Sequence, residues 1–600
     1  MELSQYVRNA IVGINFVEKD HDSRAISIIK EASVKAPNQH DAHILDIVGG
    51  SLSMTYKGRE QVFAPILVWN DGSRSFSMED ISQEDIEILQ IVIQVTESSW
   101  VRTRLSHIVW VLTKDPRYGQ LAVTGYIEGF HKLFDPERWT RCFEQICTAY
   151  FIASTMGKNT PEFKRTRQAI NQKLIEMNGT DSLFLSLKLL RLVMKDATKE
   201  DLAKYDSIVC ILSDKNFNTR SRNTNLADET FSVLEALYKR LKKDEDIKNA
   251  KARYASYYEV QAKVIAQKEG YFRAIDLLKK ACTLFSGINR EKSRQLRLLL
   301  EDWQKLAMKE LHPHKFTINV KAMQDTIEQL FDGLTQPEAI VQFGRVSRIY
   351  DVDNVKKQLQ EKQEEFIFSS MIGNSLLNQA GQSVRELPPL NDADENMNPD
   401  ALRQHMVRHV SEQREMVDYI PVVIAFQKLR GYGSISEEAL DFLVSDNAIV
   451  PENRAEIIRA GIHLALSGKL YAAMHILLPQ TEHIFRHLVK MCGDTVTFLK
   501  EDGTEEFKPL SSLFKSDKLI ECYDSNILFT FQSIMDEPAG ENLRNLNGHG
   551  LLEPQAGNGT EAIYFLSLLI KLLSMYGSKT QPIRRKLFER DKSDSTKLGE

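Results

Sequence analysis

Apolar residues recur at helical spacing along most of this chain, and this period constrains its fold more than any other feature. Between Val101 and Leu112, for example, Leu105, Ile108, Val109 and Leu112 lie on one side of a helix. Runs typical of β-strands are short and lie next to turn residues. The sequence therefore predicts a mainly α protein with small β-hairpin insertions.

At 600 residues, the chain is too long for a single hydrophobic core, so we expect several domains. Composition and periodicity predict an N-terminal helical domain with a β-hairpin (1–160), solenoid-like tetratricopeptide-type helical hairpins (161–310), an irregular connector with an exposed linker at 386–400 (311–440), a C-terminal helical bundle (441–578) and a basic, flexible tail (579–600). Each domain is large enough to bury a core of its own.

Composition favours a protein of the cytoplasm. The six cysteines form no Cys-x-x-Cys pair, which is typical of reduced thiols. The N-terminus lacks the pattern of a signal peptide, and the longest apolar run, Ala562 to Tyr576, is interrupted by Lys571 and is shorter than a bilayer span. We expect no membrane partner. With a net charge of −5, any nucleic acid must be bound locally.

Two segments of the N-terminal half carry local structural patterns. Residues 64–69 are apolar and are followed by Asn70-Asp71-Gly72, which predicts a hairpin turn. Residues 254–267 and 271–285 predict two helices joined at Gly270. Close to this pair lie the candidate RNA-binding residues Lys239, Arg240, Lys242 and Lys243. The alternative is a solvated helix surface with the tyrosines in the core, which we favour.

The C-terminal domain is predicted to be a bundle. One helix should end near Leu466, and a second should run from Leu470 to Met491 with a kink at Pro479. A β-hairpin turning at residues 501–504 and further helices follow. His483 and His487 have the spacing of two zinc ligands on one helix face, but no third ligand accompanies them, so we assign no metal. His107 is predicted to be structural.

The chain contains one motif suited to catalysis, at residues 544–550, which read Arg-Asn-Leu-Asn-Gly-His-Gly. Arg544 keeps its charge and could neutralise a phosphate, while His549 could transfer a proton near neutral pH. Side chains five residues apart on a straight helix point about 140° from each other. We therefore expect the glycines to bend the chain, so that the motif joins helices.

This motif resembles the Arg-Asn-x-x-x-His-Gly motif of HEPN-like (higher-eukaryote and prokaryote nucleotide-binding) proteins, of the type seen in domain of unknown function 4209. Residues 478–486 are similar to the Leu-Pro-Gln-x-Glu-x-x-x-Arg helix of the same family. The resemblance covers about the last quarter of the chain. It implies a helical bundle with Arg544, Asn545 and His549 as catalytic residues, and with Glu482 and Arg486 supporting them.

The resemblance also implies an activity: cleavage of RNA by a dimer in which two motifs face each other, with no metal and no cofactor. Attack by the RNA 2′-hydroxyl would leave 2′,3′-cyclic phosphate and 5′-hydroxyl ends. In bacteria such RNases resemble toxins or abortive-infection effectors against phage. The large N-terminal part would then sense, restrain or recruit, and a regulatory protein partner would fit that role.

Two other functions are compatible with the same residues. In the first, the bundle binds RNA or a nucleotide without cutting it, and Arg544 and His549 position a phosphate. In the second, the protein is an α-helical interaction scaffold, and His549 caps a helix by bonding a neighbouring carbonyl. The sequence contains neither a phosphate-binding loop ending in Lys-Ser or Lys-Thr nor a Gly-x-Ser-x-Gly elbow.

Overall fold

A computed structural model describes residues 3–12, 22–58, 62–69, 72–218, 223–312, 319–378, 380–393 and 398–597. Helices account for 73% of the structure, and its strands form small antiparallel pairs. The prediction of a mainly α, multi-domain protein is confirmed. The chain divides into two compact units, Met1–Trp303 and Gln304–Glu600, and the boundary falls within one long helix.

In the first unit, successive helices pack on each other, and one hydrophobic core extends from Leu3 to Ala250. This core includes residues on both sides of position 160. The helices are α1 Gln5–Val12, α2 Asp22–Val34, α3 Gln39–Ser53, α4 Gln83–Val95, α5 Ser99–Thr113, α6 Pro116–Lys132, α7 Trp139–Met156, α8 Pro161–Met177, α9 Leu185–Val193, α10 Lys199–Asn216, α11 Thr224–Leu241, α12 Asp244–Glu269, α13 Tyr271–Ser286 and α14 Arg290–Glu310.

The local patterns of this unit are found in the structure. Helices α12 and α13 meet at Gly270, whose φ of 97° suits a glycine, and form the predicted helical pair. Val68 and Arg74 form a β-bridge around the predicted turn, of which Asn70 and Asp71 lie outside the described residues. A further antiparallel pair, β1 Thr55–Lys57 and β2 Val62–Ala64, precedes it.

His107 is completely buried in this unit, as a structural residue would be. Its Nδ1 lies 3.0 Å from the Tyr126 hydroxyl, and the rings of Tyr56 and Phe63 pack edge-on against it. Burial, helped by the charge of Arg104, lowers its pKa well below the ordinary value. The ring is therefore a neutral part of the core.

The second unit is a helical assembly around α29, an apolar helix. Its elements are α15 Lys321–Phe331, α16 Gln336–Val346, α17 Val352–Glu365, α18 Ile367–Ser370, β3 Asn374–Leu377, β4 Ser383–Leu387, α19 Pro399–Gln413, a π-helical turn Arg414–Asp418, α20 Tyr419–Arg430, α21 Asp441–Val444, α22 Ala455–Leu466, α23 Leu470–Met491, β5 Thr497–Leu499, β6 Glu505–Phe507, α24 Leu510–Leu513, α25 Asp517–Cys522, α26 Ser525–Met535, α27 Leu543–Gly548, α28 Pro554–Gly557, α29 Thr560–Tyr576 and α30 Gln581–Lys597. Strands β3 and β4, and strands β5 and β6, form antiparallel hairpins.

Three expectations for residues 311–600 need correction. The region 311–440 is largely helical, because Ile340, Phe343 and Tyr419 are buried in the same core as α29. In the predicted linker 386–400, Leu387 and Leu390 are buried, and residues 394–397 lie outside the described residues. The tail forms helix α30, held by ion pairs that join Lys586 to Glu338 and Arg345 to Asp591; residues 598–600 lie outside the described part.

By length and composition, the segment Pro554–Tyr576 could cross a membrane, but 61% of its most apolar window is buried inside the protein. Core helices of soluble proteins have the same composition. Backbone contact with α16 is close: a Cβ on Gly344 would lie 2.7 Å from the backbone nitrogen of Lys571. The apolar surface of α29 thus serves packing within this unit.

Lys571 lies on α29 without an acidic partner among the described residues, and its ammonium donates to the Ser347 carbonyl. Burial, with the nearby charge of Arg345, lowers its pKa to about 8. Because the unfolded chain then binds more protons, unfolding free energy should rise by about 2–3 kcal/mol between about pH 8 and pH 10. Denaturant titrations should show this rise in the wild type relative to Lys571→Met. Parallel pH profiles would contradict it.

Candidate functional site

The motif at residues 544–550 forms its own short helix, α27, between α26 and α28. The helix ends at Gly548, and His549 is its C-terminal cap. Gly550 adopts a left-handed conformation with φ of 68°, and the Leu551 amide donates to the Leu546 carbonyl at 2.7 Å. This is the Schellman ending, which favours glycine at that position. The motif thus joins helices, as its glycines predict.

The Arg544 side chain is held by α23. Its Nε donates to one carboxylate oxygen of Glu482, and the other oxygen accepts from Arg486 at 2.7 Å. Glu482 has a side chain only 10% exposed, whereas that of Arg544 is 30% exposed. One buried carboxylate therefore orients two guanidinium groups, and Arg544 keeps an accessible edge.

Arg486 also fixes the neighbouring hairpin. Its Nη1 donates to the carbonyl of Lys508 at 2.9 Å, and its guanidinium lies 5.3 Å from the centre of the Phe507 ring. Strands β5 and β6 are thereby attached to the helix that carries Glu482. Glu482 and Arg486, four residues apart on α23, form an i,i+4 ion pair.

Asn545 braces the start of α27. Its side-chain amide donates to Asn542 Oδ1 at 2.8 Å and to the Asp536 carbonyl at 3.3 Å. Asp536 itself is buried, and burial together with Glu537 raises its pKa, although Arg544 and Asn545 counteract this. A carboxyl group with a raised pKa therefore adjoins the arginine and asparagine of the motif.

His549 differs from its neighbours because its ring is exposed and has no hydrogen-bond partner within the described residues. Only its backbone amide is engaged, donating to the Asn545 carbonyl at 3.1 Å. No hydrogen bond or cation–π contact joins the His549 ring to the Arg544 guanidinium in the described part of the chain. The imidazole is thus free to meet a ligand or a second protein surface.

The loop before α27 is clamped by two buried carboxylates. Glu537 accepts from Arg403 at 3.1 Å and from Gln404 at 2.8 Å, both on α19. Glu541 pairs with Arg414, which is fully buried in the π-helical turn. Burial alone would raise the pKa of Glu541, but the charge of Arg414 holds it below the ordinary value. The loop is therefore a rigid support for Arg544 and Asn545.

Sequence reasoning missed this support. Arg414, Gln404 and Glu537 carry no motif, and their partners lie more than a hundred positions away in the chain. The π-helical turn at Arg414 is one indication of a functional site, because such turns are frequent at these sites. It is seen in the structure and has no marker in the sequence.

The candidate RNA-binding cations of the first unit are mostly engaged within the protein. Lys239 pairs with Glu235 at 2.8 Å, Lys243 pairs with Asp206 at 2.5 Å, and Arg240 donates to the Ala197 carbonyl at 3.3 Å. Lys242, in a left-handed cap, is exposed and has no such partner among the described residues. These contacts favour the alternative of a solvated helix surface.

Comparison with known proteins gives one match, to a domain of unknown function (DUF7380) over residues 7–165. The matched residues belong to the first unit and do not include the motif. No curated protein and no solved structure matches the chain.

The site contains three groups that could act on a substrate. They are the fixed guanidinium of Arg544, the side-chain amide of Asn545 and the accessible imidazole of His549. A guanidinium can neutralise charge on phosphoryl oxygens, and an imidazole can give or take a proton. Among the described residues, no group of three or more His, Cys, Asp or Glu side chains has the arrangement of a metal site. The chemistry that these side chains can perform is phosphate binding with proton transfer.

Proposed function

We propose that this protein is a metal-independent endoribonuclease that uses Arg544, Asn545 and His549. The proposal rests on a difference between two residues of the motif. Glu482 orients the Arg544 side chain, whereas the His549 ring is exposed and has no partner in the described structure. A purely structural cap would be expected to bond its ring to a neighbouring group. An accessible imidazole five residues after an oriented cation suits catalysis on a phosphodiester.

In the proposed reaction, the 2′-hydroxyl of RNA attacks the adjacent phosphorus. Neutral His549 accepts the hydroxyl proton, the bond from oxygen 2′ to phosphorus forms, and the bond to the 5′ oxygen breaks. The 5′ oxygen takes a proton, which leaves a 2′,3′-cyclic phosphate and a 5′-hydroxyl. Arg544 stabilises the charge that develops on the phosphoryl oxygens, and Asn545 orients the start of α27.

One imidazole can serve as the base, but departure of the 5′ oxygen calls for an acid as well. A homodimer through the second unit would supply a second His549, and the exposure of this ring supports that arrangement. The proposal further includes a cytoplasmic location, control by the first unit or a regulatory protein, and a role in defence against phage. These extensions rest on the HEPN-like resemblance.

The test is to incubate the full chain with total RNA in the presence of EDTA and to analyse the product ends. Arg544→Ala should lower kcat by about 100- to 1,000-fold, the loss seen when one group that stabilises a developing oxyanion is removed. Arg459→Ala is the matched control, because Arg459 forms ion pairs with Asp441 and Glu437 elsewhere in the same unit. It should cleave at the wild-type rate.

Cyclic phosphate ends that disappear only with Arg544→Ala would support the ribonuclease. Cleavage that EDTA abolishes, or that both variants retain, would contradict the proposal. Intact RNA that the wild type nevertheless binds would point to the non-cleaving binder. Absence of both binding and cleavage would favour the scaffold.

A further inference from the structure

Beyond its contact with the motif, α23 carries several cationic or imidazole side chains on one face. His483, Arg486, His487 and Lys490 follow one another in its last turns. At about 100° per residue, these four positions span an arc of about 100° and about 10 Å of helix. They form one continuous surface that begins beside Glu482, the partner of Arg544.

The charge of this surface is largely uncompensated. Arg486 is paired with Glu482, but His483, His487 and Lys490 form no ion pair with any described acidic side chain. Arg454, which precedes α22, adds a further cation, and its buried Nε has no hydrogen-bond partner in the described structure. Such a concentration of positive groups is notable in a chain with a net charge of −5.

The lowered pKa of His483 is consistent with a positive environment on this surface. Burial lowers its pKa, and the neighbouring positive groups Arg454, Arg486, His487 and Lys490 lower it further. The surface therefore has a local positive potential that an anion would relieve.

The adjoining hairpin adds exposed aromatic rings. Phe507 on β6 is 67% exposed and lies under the Arg486 guanidinium. Phe498 on β5 is also exposed, and the Lys508 ammonium lies 5.7 Å from the centre of its ring. Proteins bind single-stranded nucleic acid with cations placed along its phosphate backbone and with aromatic rings on which its bases stack.

We infer that the face formed by Arg454, His483, His487 and Lys490, together with Phe507, binds single-stranded RNA: Arg454, Lys490 and the imidazole N–H groups hold its phosphates, and the Phe507 ring stacks on a base. This inference rests on the proposed function and deepens it by naming the strand-binding surface. Since Glu482 links Arg486 to Arg544, the surface leads directly to the motif. Two histidines without a third ligand in the described structure argue against a zinc site there.

The experiment measures binding of a single-stranded RNA with 2′-O-methyl groups throughout, which removes the attacking hydroxyl. Fluorescence anisotropy over a series of salt concentrations gives both affinity and salt dependence. Lys490→Gln should reduce the slope of log affinity against log salt by about 1. Phe507→Ala should weaken binding about fivefold or more with the slope unchanged, because stacking is lost without loss of charge.

Lys469→Gln is the matched control, since Lys469 is exposed at the opposite end of α23 and has no described ion pair. It should bind like the wild type. Absence of RNA binding by the wild type, or equal behaviour of Lys490→Gln, Phe507→Ala and Lys469→Gln, would overturn the inference.

Cleavage of unmodified RNA separates this result from the proposed function. If the wild type binds as expected but never cleaves, the binding surface stands and the ribonuclease proposal fails. If the wild type cleaves while Lys490→Gln and Phe507→Ala bind normally, the ribonuclease stands and the binding surface is wrong.

Discussion

With His549 replaced by alanine, RNA cleavage is expected to fall by about 100- to 10,000-fold, the contribution of a positioned proton-transfer group. The ring is exposed and unpartnered in the described structure, so the substitution removes no packing and no hydrogen bond. Unfolding free energy should change by less than about 0.5 kcal/mol. Single-turnover cleavage and thermal unfolding measure the two effects separately.

His40→Ala serves as the control, because His40 is an exposed histidine in the first unit. Added imidazole should restore part of the rate of His549→Ala, since the vacated position is open to solvent. Normal cleavage by His549→Ala would remove this residue from the mechanism. A loss of stability equal to that of a missing helix cap, about 1 kcal/mol, would assign His549 a structural role.

Arg414→Ala should have the largest effect on stability, lowering the unfolding free energy of the second unit by about 3–5 kcal/mol. Arg414 is fully buried and binds Glu541 through two nitrogens, while Ser533 accepts from its third at 2.9 Å. The substitution leaves the Glu541 carboxylate buried without a cation, while Tyr419 and Ser411 still donate to it. Denaturant titration of the full chain measures the loss.

Arg414→Lys should recover only part of this loss, because a lysine cannot form the paired contact. Glu541→Gln and the double variant complete a double-mutant cycle, whose coupling energy should exceed about 1 kcal/mol. A loss below about 1 kcal/mol for Arg414→Ala would mean that water or a local rearrangement replaces the arginine. The rigid support inferred for the motif loop would then be wrong.

Local patterns predicted much of the second unit. Apolar spacing gave α23 its bounds, Leu470 to Met491, and the turn residues at 501–504 predicted the β5–β6 hairpin. Such features depend on residues close together in the chain. The pattern predicts only that helices follow this hairpin; their division into α25 and α26 depends on Asp524, which caps the second of them.

Contacts between residues far apart in the chain explain why some sequence predictions are wrong. The sequence does not predict helix α19, because two of its contact residues, Arg403 and Gln404, are polar. Both donate hydrogen bonds to Glu537, which lies 134 and 133 positions later, respectively. The basic residues after 579 predict a flexible tail and not helix α30, because acidic partners such as Glu338, 248 positions before Lys586, lie far away in the chain. At the site, Glu482 and Arg486 are four residues apart, whereas Arg544 reaches Glu482 from 62 positions later in the chain.

The position of α29 also affects how the protein forms during synthesis. Lys571 and Ser567 bind carbonyls of Ser347 and Phe343, 224 residues earlier in each case. At about 5–20 residues per second, a ribosome needs about 10–45 s to make the intervening chain. During that interval the apolar face of α16 has no partner from α29, so nascent chains of this length should depend on chaperones.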